Sequence, residues 1–218
     1  MAARLQYEYV AITGHSFVYW LQKFIEKDAT ADEHFGTSGC QVDFLGKRGG
    51  KVADVMSLME GWRVPQNSNK AIVIVCGGND VKKCPRNKEE SHCQKIVDEI
   101  IELATQLKDT FGTHDSCKVI VCQVMPRCYD LRCPYNFDIR YNIKAEMINK
   151  ALREQLAHRH GMLFWSHATD KIRTFGAFLS EKHEARRKYL REDGVHLNDM
   201  GNFRLYTSIC RVLRLMRR

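Results

Sequence analysis

The sequence has 218 residues, of which 44% are hydrophobic and 28% are charged. This composition is typical of a globular protein with a well-packed core, and it excludes a disordered or fibrous chain. No apolar run approaches the roughly 20 residues that a membrane-spanning helix needs, and the first residues lack the apolar stretch of a signal peptide. We therefore expect a single domain, residues 1–218, in an intracellular, cytoplasmic protein whose nine cysteines are reduced.

The net charge of +8 is concentrated in the second half of the chain. Residues 110–218 hold 20 Lys and Arg against 11 Asp and Glu, whereas residues 1–109 hold 14 against 15. A basic segment of this kind indicates affinity for a polyanion, nucleic acid first. A solvated basic face without a partner is the other interpretation, and charge alone does not separate the two.

Apolar patterning predicts that strands and helices alternate five times along the chain. Short apolar runs typical of buried strands are each followed by apolar residues at the three- and four-residue spacing of helices. Five such units imply a parallel sheet with helices on both faces. The predicted strands lie near residues 10–12, 40–45, 71–76, 117–124 and 162–165, and the helices near 17–25, 52–59, 96–111, 139–152 and 197–218.

Ser16 follows the first predicted strand, directly after the turn that Gly14 permits. Its hydroxyl has two interpretations. As an N-cap it would accept a backbone N–H from the first turn of the helix. As a nucleophile it would lie at the carboxyl edge of the sheet, beside backbone N–H groups that stabilise an oxyanion. Trp20 continues the apolar pattern of the same helix and is predicted to lie in the core, as Phe203 is in the last helix.

Three other segments place glycines or polar residues at predicted strand or helix boundaries. Gly49 and Gly50 follow the second strand, Asn79 follows the third, and Asp193 and His196 precede the last helix. Functional groups of an α/β fold gather at such boundaries. A carboxylate three residues before a histidine can bind one imidazole nitrogen and leave the other free to take a proton from a serine hydroxyl.

Together these segments resemble the four sequence blocks of the SGNH hydrolase superfamily, also called the GDSL-like esterases and lipases. The resemblance spans nearly the whole chain and implies a flavodoxin-like three-layer α/β/α sandwich with a five-stranded parallel sheet. It also implies a serine esterase that acts on a small ester without a cofactor or metal. The blocks occur in the family's order, as Gly14-His15-Ser16, Gly49-Gly50, Gly77-Gly78-Asn79-Asp80 and Asp193-Gly194-Val195-His196.

The same resemblance implies a role for the polar residues of these blocks. Ser16 would be the nucleophile, His196 the general base and later the acid, and Asp193 the group that orients His196. The oxyanion hole would consist of the backbone N–H groups of Ser16 and Gly50 and the side-chain amide of Asn79. Gly49 is the alternative to Gly50 as the donor from the glycine turn.

Further residues near the blocks are candidates for substrate contact: His15, Gly49, Asp80 and Arg127. His15 stands where the family usually has Asp, so it either contacts the substrate or is a structural histidine at the turn. Arg127, after the fourth strand, would hold an anionic group of the substrate unless it is an exposed loop residue. His167, after the fifth strand, shows no partner by sequence and is predicted to lie at the surface.

A narrower resemblance concerns the segments Gly-His-Ser-Phe-Val and Asp-Gly-Val-His-Leu-Asn. They are similar to the compact SGNH domains of invertebrate retroelement-like proteins, which fits the basic second half of the chain. A second function therefore stays open. It is a non-catalytic or weakly catalytic binding module that contacts nucleic acid through its phosphates.

Four cysteines fall in loops that are expected at the same sheet edge as Ser16: Cys84, Cys93, Cys128 and Cys133. Thiols gathered there could bind zinc, with His92 as a substitute ligand. Their spacing is not the paired Cys-x-x-Cys pattern of common zinc sites, so free thiols are the alternative.

Overall fold

The computed structural model describes residues 7–28, 30–36, 39–81, 89–112, 116–127, 139–167 and 189–216. It contains a five-stranded sheet in which every neighbouring pair of strands is parallel. The order across the sheet is β2-β1-β3-β4-β5. The strands are β1 (Tyr9–Gly14), β2 (Gln41–Gly46), β3 (Lys70–Val75), β4 (Cys117–Cys122) and β5 (Met162–Trp165).

Helices connect and cover these strands. In chain order they are α1 (Ser16–Ile25), α2 (Asp54–Met59), α3 (Gly78–Val81), α4 (Glu89–Phe111), α5 (Ile139–Leu156) and α6 (Asp199–Leu215). The short α3 follows β3 directly and is not apparent in the apolar pattern. α4 begins before the helix predicted near residues 96–111. Glu89 and Glu90 open its first turn, where the positive end of the helix dipole stabilises carboxylates.

The sheet separates two apolar cores. On one face, Ile12 and Val73 belong to a buried cluster with the inner sides of α1 and α6. On the other face, Ile72 and Ile74 join a cluster with α2, α4 and α5. Side chains of a strand alternate between faces, so a parallel strand covered on both sides is apolar on both, as β3 is from Ala71 to Val75. The predicted three-layer α/β/α sandwich with a five-stranded parallel sheet is confirmed.

One predicted core position in α6 is wrong. The Phe203 residue is 41% exposed, while Tyr206, Ile209 and Leu213 are buried. The buried side of the helix is centred on residues such as Asn202 and Ile209, and Phe203 lies about a quarter turn or more away from that line. Its ring instead meets Phe24 at the edge of the core, with 6.5 Å between ring centres.

The strand order changes direction between β1 and β3, which each continue into loops at the same edge of the sheet. In open α/β sheets, ligands bind outside the carboxyl ends of the strands at such a switch point. The polar blocks after β1 and β3 therefore meet here.

Within the described part of the chain, no helix combines the length and the hydropathy that crossing a bilayer requires.

The end of β1 is a position that only glycine fits. Gly14 has a φ of +144°, and a Cβ there would overlap the carbonyl group of Val75 on β3. We expect Gly14→Ala to lower the free energy of unfolding by about 2–4 kcal/mol, because it adds both backbone strain and an overlap. Urea denaturation measures this difference.

Gly61→Ala is the matched control. Gly61 is exposed, and a Cβ there would meet no atom within 4 Å. Its substitution is expected to change the unfolding free energy by no more than about 0.5 kcal/mol. Equal losses in the two variants would contradict the close approach of β1 and β3.

Candidate active site

A chain of two hydrogen bonds joins residues from opposite ends of the sequence. The Nε2 atom of His196 lies 3.1 Å from the Oγ of Ser16. The Nδ1 atom of the same ring lies 2.6 Å from Oδ2 of Asp193. Within the predicted triad, the Ser16 residue is 8% exposed, whereas the Asp193 side chain is 47% exposed. The structure thus brings the predicted hydroxyl, imidazole and carboxylate together in the predicted order.

The Asp193 carboxylate is held by its own loop. Its Oδ1 accepts the backbone N–H groups of Val195 and His196, both at 2.9 Å. Partial burial acts to raise the pKa of this carboxyl. The hydrogen bonds from the His196 ring and from the two backbone N–H groups outweigh burial and hold the pKa below its ordinary value. Asp193 is therefore ionised and fixed in position against Nδ1.

The loop that carries both residues is closed by backbone bonds. Arg191 N–H donates to the carbonyl of His196 at 2.7 Å, and Gly194 N–H donates to the carbonyl of Arg191 at 2.9 Å. Asn198 then caps α6, its Oδ1 accepting Gly201 N–H at 2.9 Å. A Cβ at Gly201 would overlap the carbonyl of Tyr189. The loop is thus packed directly onto the first turn of α6, which fixes the direction of His196.

Ser16 is the first residue of α1, and the residue before it provides the cap. The Nδ1 of His15 accepts the backbone N–H of Phe17 at 3.4 Å, which is the N-cap bond. The interpretation of Ser16 as the N-cap is therefore wrong, and its hydroxyl is directed to His196 instead. As a first-turn residue, Ser16 also has a backbone N–H without a partner inside the helix.

His15 is a buried, neutral ring. Burial lowers its pKa to about 3, and the charges of Arg127 and His196 act in the same direction. A neutral imidazole that accepts at Nδ1 carries its proton on Nε2. That Nε2 lies 3.5 Å from the position that a Cβ of Gly78 would occupy, next to Asn79. The observed contacts give His15 a capping role at the turn, and its contact with a substrate stays a prediction.

The amide of Asn79 is oriented by two bonds. Its Nδ2 donates to the carbonyl of Gly50 at 2.9 Å, and its Oδ1 accepts from Nη2 of Arg127 at 2.9 Å. Since a guanidinium only donates, the second bond forces Oδ1 toward Arg127 and Nδ2 toward the glycine turn. One N–H of Nδ2 is used in this way, and the other remains for a further acceptor.

The glycine turn is tied to the loop after β3 at a second point. The Val52 N–H donates to Oδ2 of Asp80 at 3.3 Å, and burial raises the pKa of that carboxyl despite this bond. Gly49 has a left-handed φ of +70°. The N–H of Gly50 donates to the carbonyl of Lys47 at 3.1 Å inside the turn. The carboxylate of Asp80 therefore holds the turn in place in this structure.

Arg127 is not the exposed loop residue that was one of its two interpretations. It is 8% exposed, and its guanidinium lies over the ring of Tyr141 at 4.7 Å from the ring centre. Its backbone N–H and carbonyl both bond to the side chain of Asn142, at 2.9 and 2.8 Å. Within the described residues its Nε has no hydrogen-bond partner. α5 thus holds a buried positive charge behind Asn79.

Two further predictions are corrected here. Trp20 is half-buried rather than a core residue, and its ring meets the edge of His196 with 6.4 Å between ring centres. His167 is buried rather than at the surface, with Nδ1 2.8 Å from Oγ of Ser208 on α6. Neither could be found from local periodicity, because both depend on residues that are distant in sequence.

The cysteine hypothesis is largely outside the described residues, where Cys84, Cys128 and Cys133 lie. Cys93 is buried in α4, and its Sγ is 4.0 Å from the carbonyl of Lys144. Nε2 of His92 lies 3.3 Å from the carbonyl of Asp80. In the part of the chain that the structure describes, no three His, Cys, Asp or Glu side chains are grouped to hold a metal ion.

Comparison with known proteins identifies the fold. No protein-family model and no curated protein matches the sequence. Among solved structures, a Streptococcus pneumonia protein assigned as a platelet activating factor shares 18% identity at a TM-score of 0.66, with 97% of this chain and 86% of that chain covered. A carbohydrate acetylesterase from Sinorhizobium meliloti shares 14% identity at a TM-score of 0.61, with 96% and 99% covered.

An acetyl-xylooligosaccharide esterase from Geobacillus, represented by a mutant, shares 14% identity at a TM-score of 0.62, with 97% of this chain and 96% of that chain covered. These matches extend over nearly the whole chain, although few residues are identical. The chain therefore has the α/β fold of the SGNH hydrolases.

The two buried histidines predict how stability depends on pH. His15 and His167 have pKa values of about 3 in the folded protein, against 6.5 as the ordinary value. Below pH 6.5 the unfolded chain takes up these protons and the folded chain does not. The free energy of unfolding should therefore fall as the pH decreases from about 6.5 toward 3, by up to about 1.4 kcal/mol per pH unit for each histidine.

His15→Asn tests this dependence, since Asn retains an acceptor for the N-cap bond but does not titrate. Between about pH 4.5 and 5.5, we expect the slope of unfolding free energy against pH to decrease by about 1.4 kcal/mol per pH unit, which is the contribution of one proton. An unchanged slope in His15→Asn would contradict a neutral, buried His15.

Proposed function

We propose that the chain is a serine hydrolase of the SGNH type, a carboxylic ester hydrolase that works through an acyl-enzyme. The observation that carries this proposal is the chain of contacts from Ser16 Oγ to His196 Nε2 and from His196 Nδ1 to Asp193, at 3.1 and 2.6 Å. A nucleophile, a base and an orienting carboxylate in this order are what acyl transfer by a hydroxyl requires.

In the first half of the reaction, His196 Nε2 takes the proton of the Ser16 hydroxyl as its oxygen attacks the ester carbonyl. The carbonyl oxygen becomes an oxyanion, and collapse of the tetrahedral intermediate breaks the bond between acyl carbon and alcohol oxygen. The imidazolium returns its proton to the departing alcohol, while the ionised Asp193 stabilises the positive ring. Water then repeats the sequence on the acyl-enzyme and releases the acid.

The oxyanion would be stabilised by Asn79 and by backbone N–H groups of Ser16 and Gly50. The amide of Asn79 supports this assignment, because Arg127 and Gly50 fix it with Nδ2 toward the glycine turn and leave one N–H for a ligand. The N–H of Gly50 bonds to the carbonyl of Lys47 in this structure, so its use requires the oxyanion to compete for or share that donor.

The solved structures support a small acyl group. Two of the similar proteins are an acetyl-xylooligosaccharide esterase and a carbohydrate acetylesterase. We extend to this chain only the ester-hydrolase chemistry, acting within a single domain over residues 1–218. The nucleic-acid alternative and the link to retroelement-like proteins remain predictions. Both rest on the basic second half of the chain, much of which lies outside the described residues, including Arg186, Arg187, Lys188, Arg217 and Arg218.

Ser16→Ala tests the proposal directly. Removing the hydroxyl should abolish labelling by a fluorophosphonate probe and lower kcat for a short p-nitrophenyl ester by about 10⁴-fold or more. Ser57→Ala, at an exposed serine of α2, should retain both labelling and turnover. Labelling that persists in Ser16→Ala would place the reactive group elsewhere.

Substitutions of Asn79 and Arg127 should each lower kcat, by different amounts. Asn79→Ala removes an oxyanion donor and should lower kcat about 10²- to 10³-fold with little change in KM. Arg127→Met releases the amide of Asn79 and should lower kcat by about tenfold or more, since a misplaced donor stabilises the transition state poorly. Rates are normalised to active protein, counted by fluorophosphonate titration.

Arg140→Met, at an exposed arginine of α5, is the control for the loss of a positive charge. It should leave kcat and KM unchanged. If Arg127→Met raised KM and left kcat intact, Arg127 would bind substrate, as the sequence first suggested, and would not position Asn79.

A further inference from the structure

A half-buried indole ring lies beside the imidazole of the proposed site, and two guanidinium groups lie against it. Trp20 is one helical turn after Ser16 on α1, and its ring meets the ring of His196 at 6.4 Å, edge to face. The guanidinium carbon of Arg191 lies 3.9 Å from the centre of the indole. That of Arg48 lies 5.8 Å from the same centre.

These two arginines come from distant parts of the chain. Arg48 belongs to the turn after β2, directly before the glycines, and Arg191 belongs to the loop that carries His196. Arg191 Nε donates to the carbonyl of Leu197 at 3.0 Å, and Arg48 also approaches the ring of Tyr19. Within the described residues, neither guanidinium has a carboxylate partner.

Two like charges at one ring repel each other, although an aromatic face attracts each of them. In a protein, such a pair is stabilised when an anion lies between or beside the two charges. Guanidinium groups also offer several donors in a planar fork that fits carboxylate, phosphate and sulfate. The arrangement therefore favours an anionic ligand at Trp20.

The ring also borders a groove of about 430 Å³. Of its charged side chains, Lys23, Lys27 and Arg191 are positive, and Asp28 and Asp199 are negative. Lys23 pairs with Glu26 at 2.7 Å, and the Asp28 carboxylate accepts two bonds from Thr30. Lys27 has no carboxylate partner among the described residues. The groove is lined by Trp20, Lys23, Phe24, Lys27, Asp28, Thr30, Arg191 and Asp199.

Within the described residues, the Asp199 carboxylate makes no ion pair or side-chain hydrogen bond. It lies in the first turn of α6, where the helix dipole stabilises a carboxylate. Lys27 and Arg191 thus stand against the carboxylates of Asp28 and Asp199, and Arg48, which approaches the indole from outside the groove lining, adds a further positive charge. The excess positive charge therefore lies at the indole ring, where Arg48 and Arg191 have no carboxylate partner among the described residues.

The groove adjoins the imidazole ring that, in the proposed mechanism, protonates the departing alcohol. In the proposed mechanism, His196 Nε2 gives its proton to the departing alcohol oxygen, so that oxygen must lie within hydrogen-bond reach of this ring. Trp20 is a neighbour of the His196 ring and borders the groove at the same time. The body of the alcohol can continue from His196 over Trp20 into the groove.

We propose that the natural substrate is an ester whose alcohol part carries a negative charge, a carboxylate, phosphate or sulfate, which Arg48 and Arg191 bind beside Trp20. This inference rests on the proposed function of Ser16 and His196. The reaction is ester plus water to carboxylic acid plus anionic alcohol, and the proton on the new hydroxyl comes from His196.

Three phenyl acetates of different charge test the proposal. They are phenyl acetate, meta-acetoxybenzoate and meta-trimethylammoniophenyl acetate, and each kcat/KM is divided by the rate of the same ester with hydroxide, which removes differences in leaving-group chemistry. We expect the anionic ester to exceed the neutral one by about fivefold to tenfold, and the cationic ester to be the poorest. At about 0.5 M salt the preference should shrink, because the screening length is then only a few ångström.

Arg48→Gln, Arg191→Gln and Lys27→Gln should each reduce the ratio of anionic to neutral rates. If Arg191→Gln loosens the loop that carries His196, both rates fall together and their ratio is unaffected. Lys27 lies outside that loop, so Lys27→Gln tests the charge without this effect. Arg153→Gln is the matched control, because its guanidinium also lies over an aromatic ring, Phe164, at 5.3 Å but on α5. It should keep the full ratio.

Calorimetric binding to the Ser16→Ala variant separates this inference from the proposed function. The products phenol and meta-hydroxybenzoate are the probes, and the anionic one should bind several-fold more tightly and lose its advantage in the additional Arg191→Gln variant. Ser16-dependent hydrolysis without a charge preference would overturn the inference alone. Binding of the anionic product without any Ser16-dependent hydrolysis would retain the anion site and overturn the proposed function. Equal binding of the two probes would overturn the inference whatever the activity.

Discussion

The site depends on the close approach of β1 and β3 at their carboxyl ends. The carbonyl of Val75 occupies the space that a side chain at Gly14 would need, and it accepts the N–H of His15 at 3.1 Å. On the other side of β1, Lys47 N–H donates to the carbonyl of Gly14 at 3.0 Å. These bonds bring the turns after three parallel strands to one edge, so that residues from separate blocks share a pocket without a long loop to gather them.

The sheet and its blocks could be predicted because their signals are local. A strand buried on both faces is apolar on both, and β3 and β4 show this in sequence from Ala71 and from Val119 onward. The order of elements therefore follows from patterning alone. The segments around Ser16 and around Asp193 and His196 adjoin helix starts, where turn residues are expected. Parallel topology and the family resemblance together predicted that these segments converge. The 3.1 Å contact between Ser16 and His196 agrees with that prediction.

What the sequence could not show are the positions that depend on two distant segments at once. Trp20 has the spacing of a core residue, but Arg191 and His196, which arrive from the last loop, make it part of the site. Arg127 follows a strand as an exposed loop residue would, but Asn142 and Tyr141 of α5 bury it. Periodicity describes one element at a time and carries no information on such pairs.

His15 shows how the turn before Ser16 is capped without an acidic residue. The resemblance places Asp there, and either an Asp carboxylate or a neutral His15 Nδ1 can accept the Phe17 N–H. A carboxylate would also offset the buried charge of Arg127, whereas a ring whose pKa burial lowers to about 3 does not. Arg127 then acts undiminished on Asn79 and on the space beside it. A buried positive charge stabilises negative charge that develops on a nearby oxygen, so a neutral residue at position 15 is compatible with the proposed oxyanion chemistry.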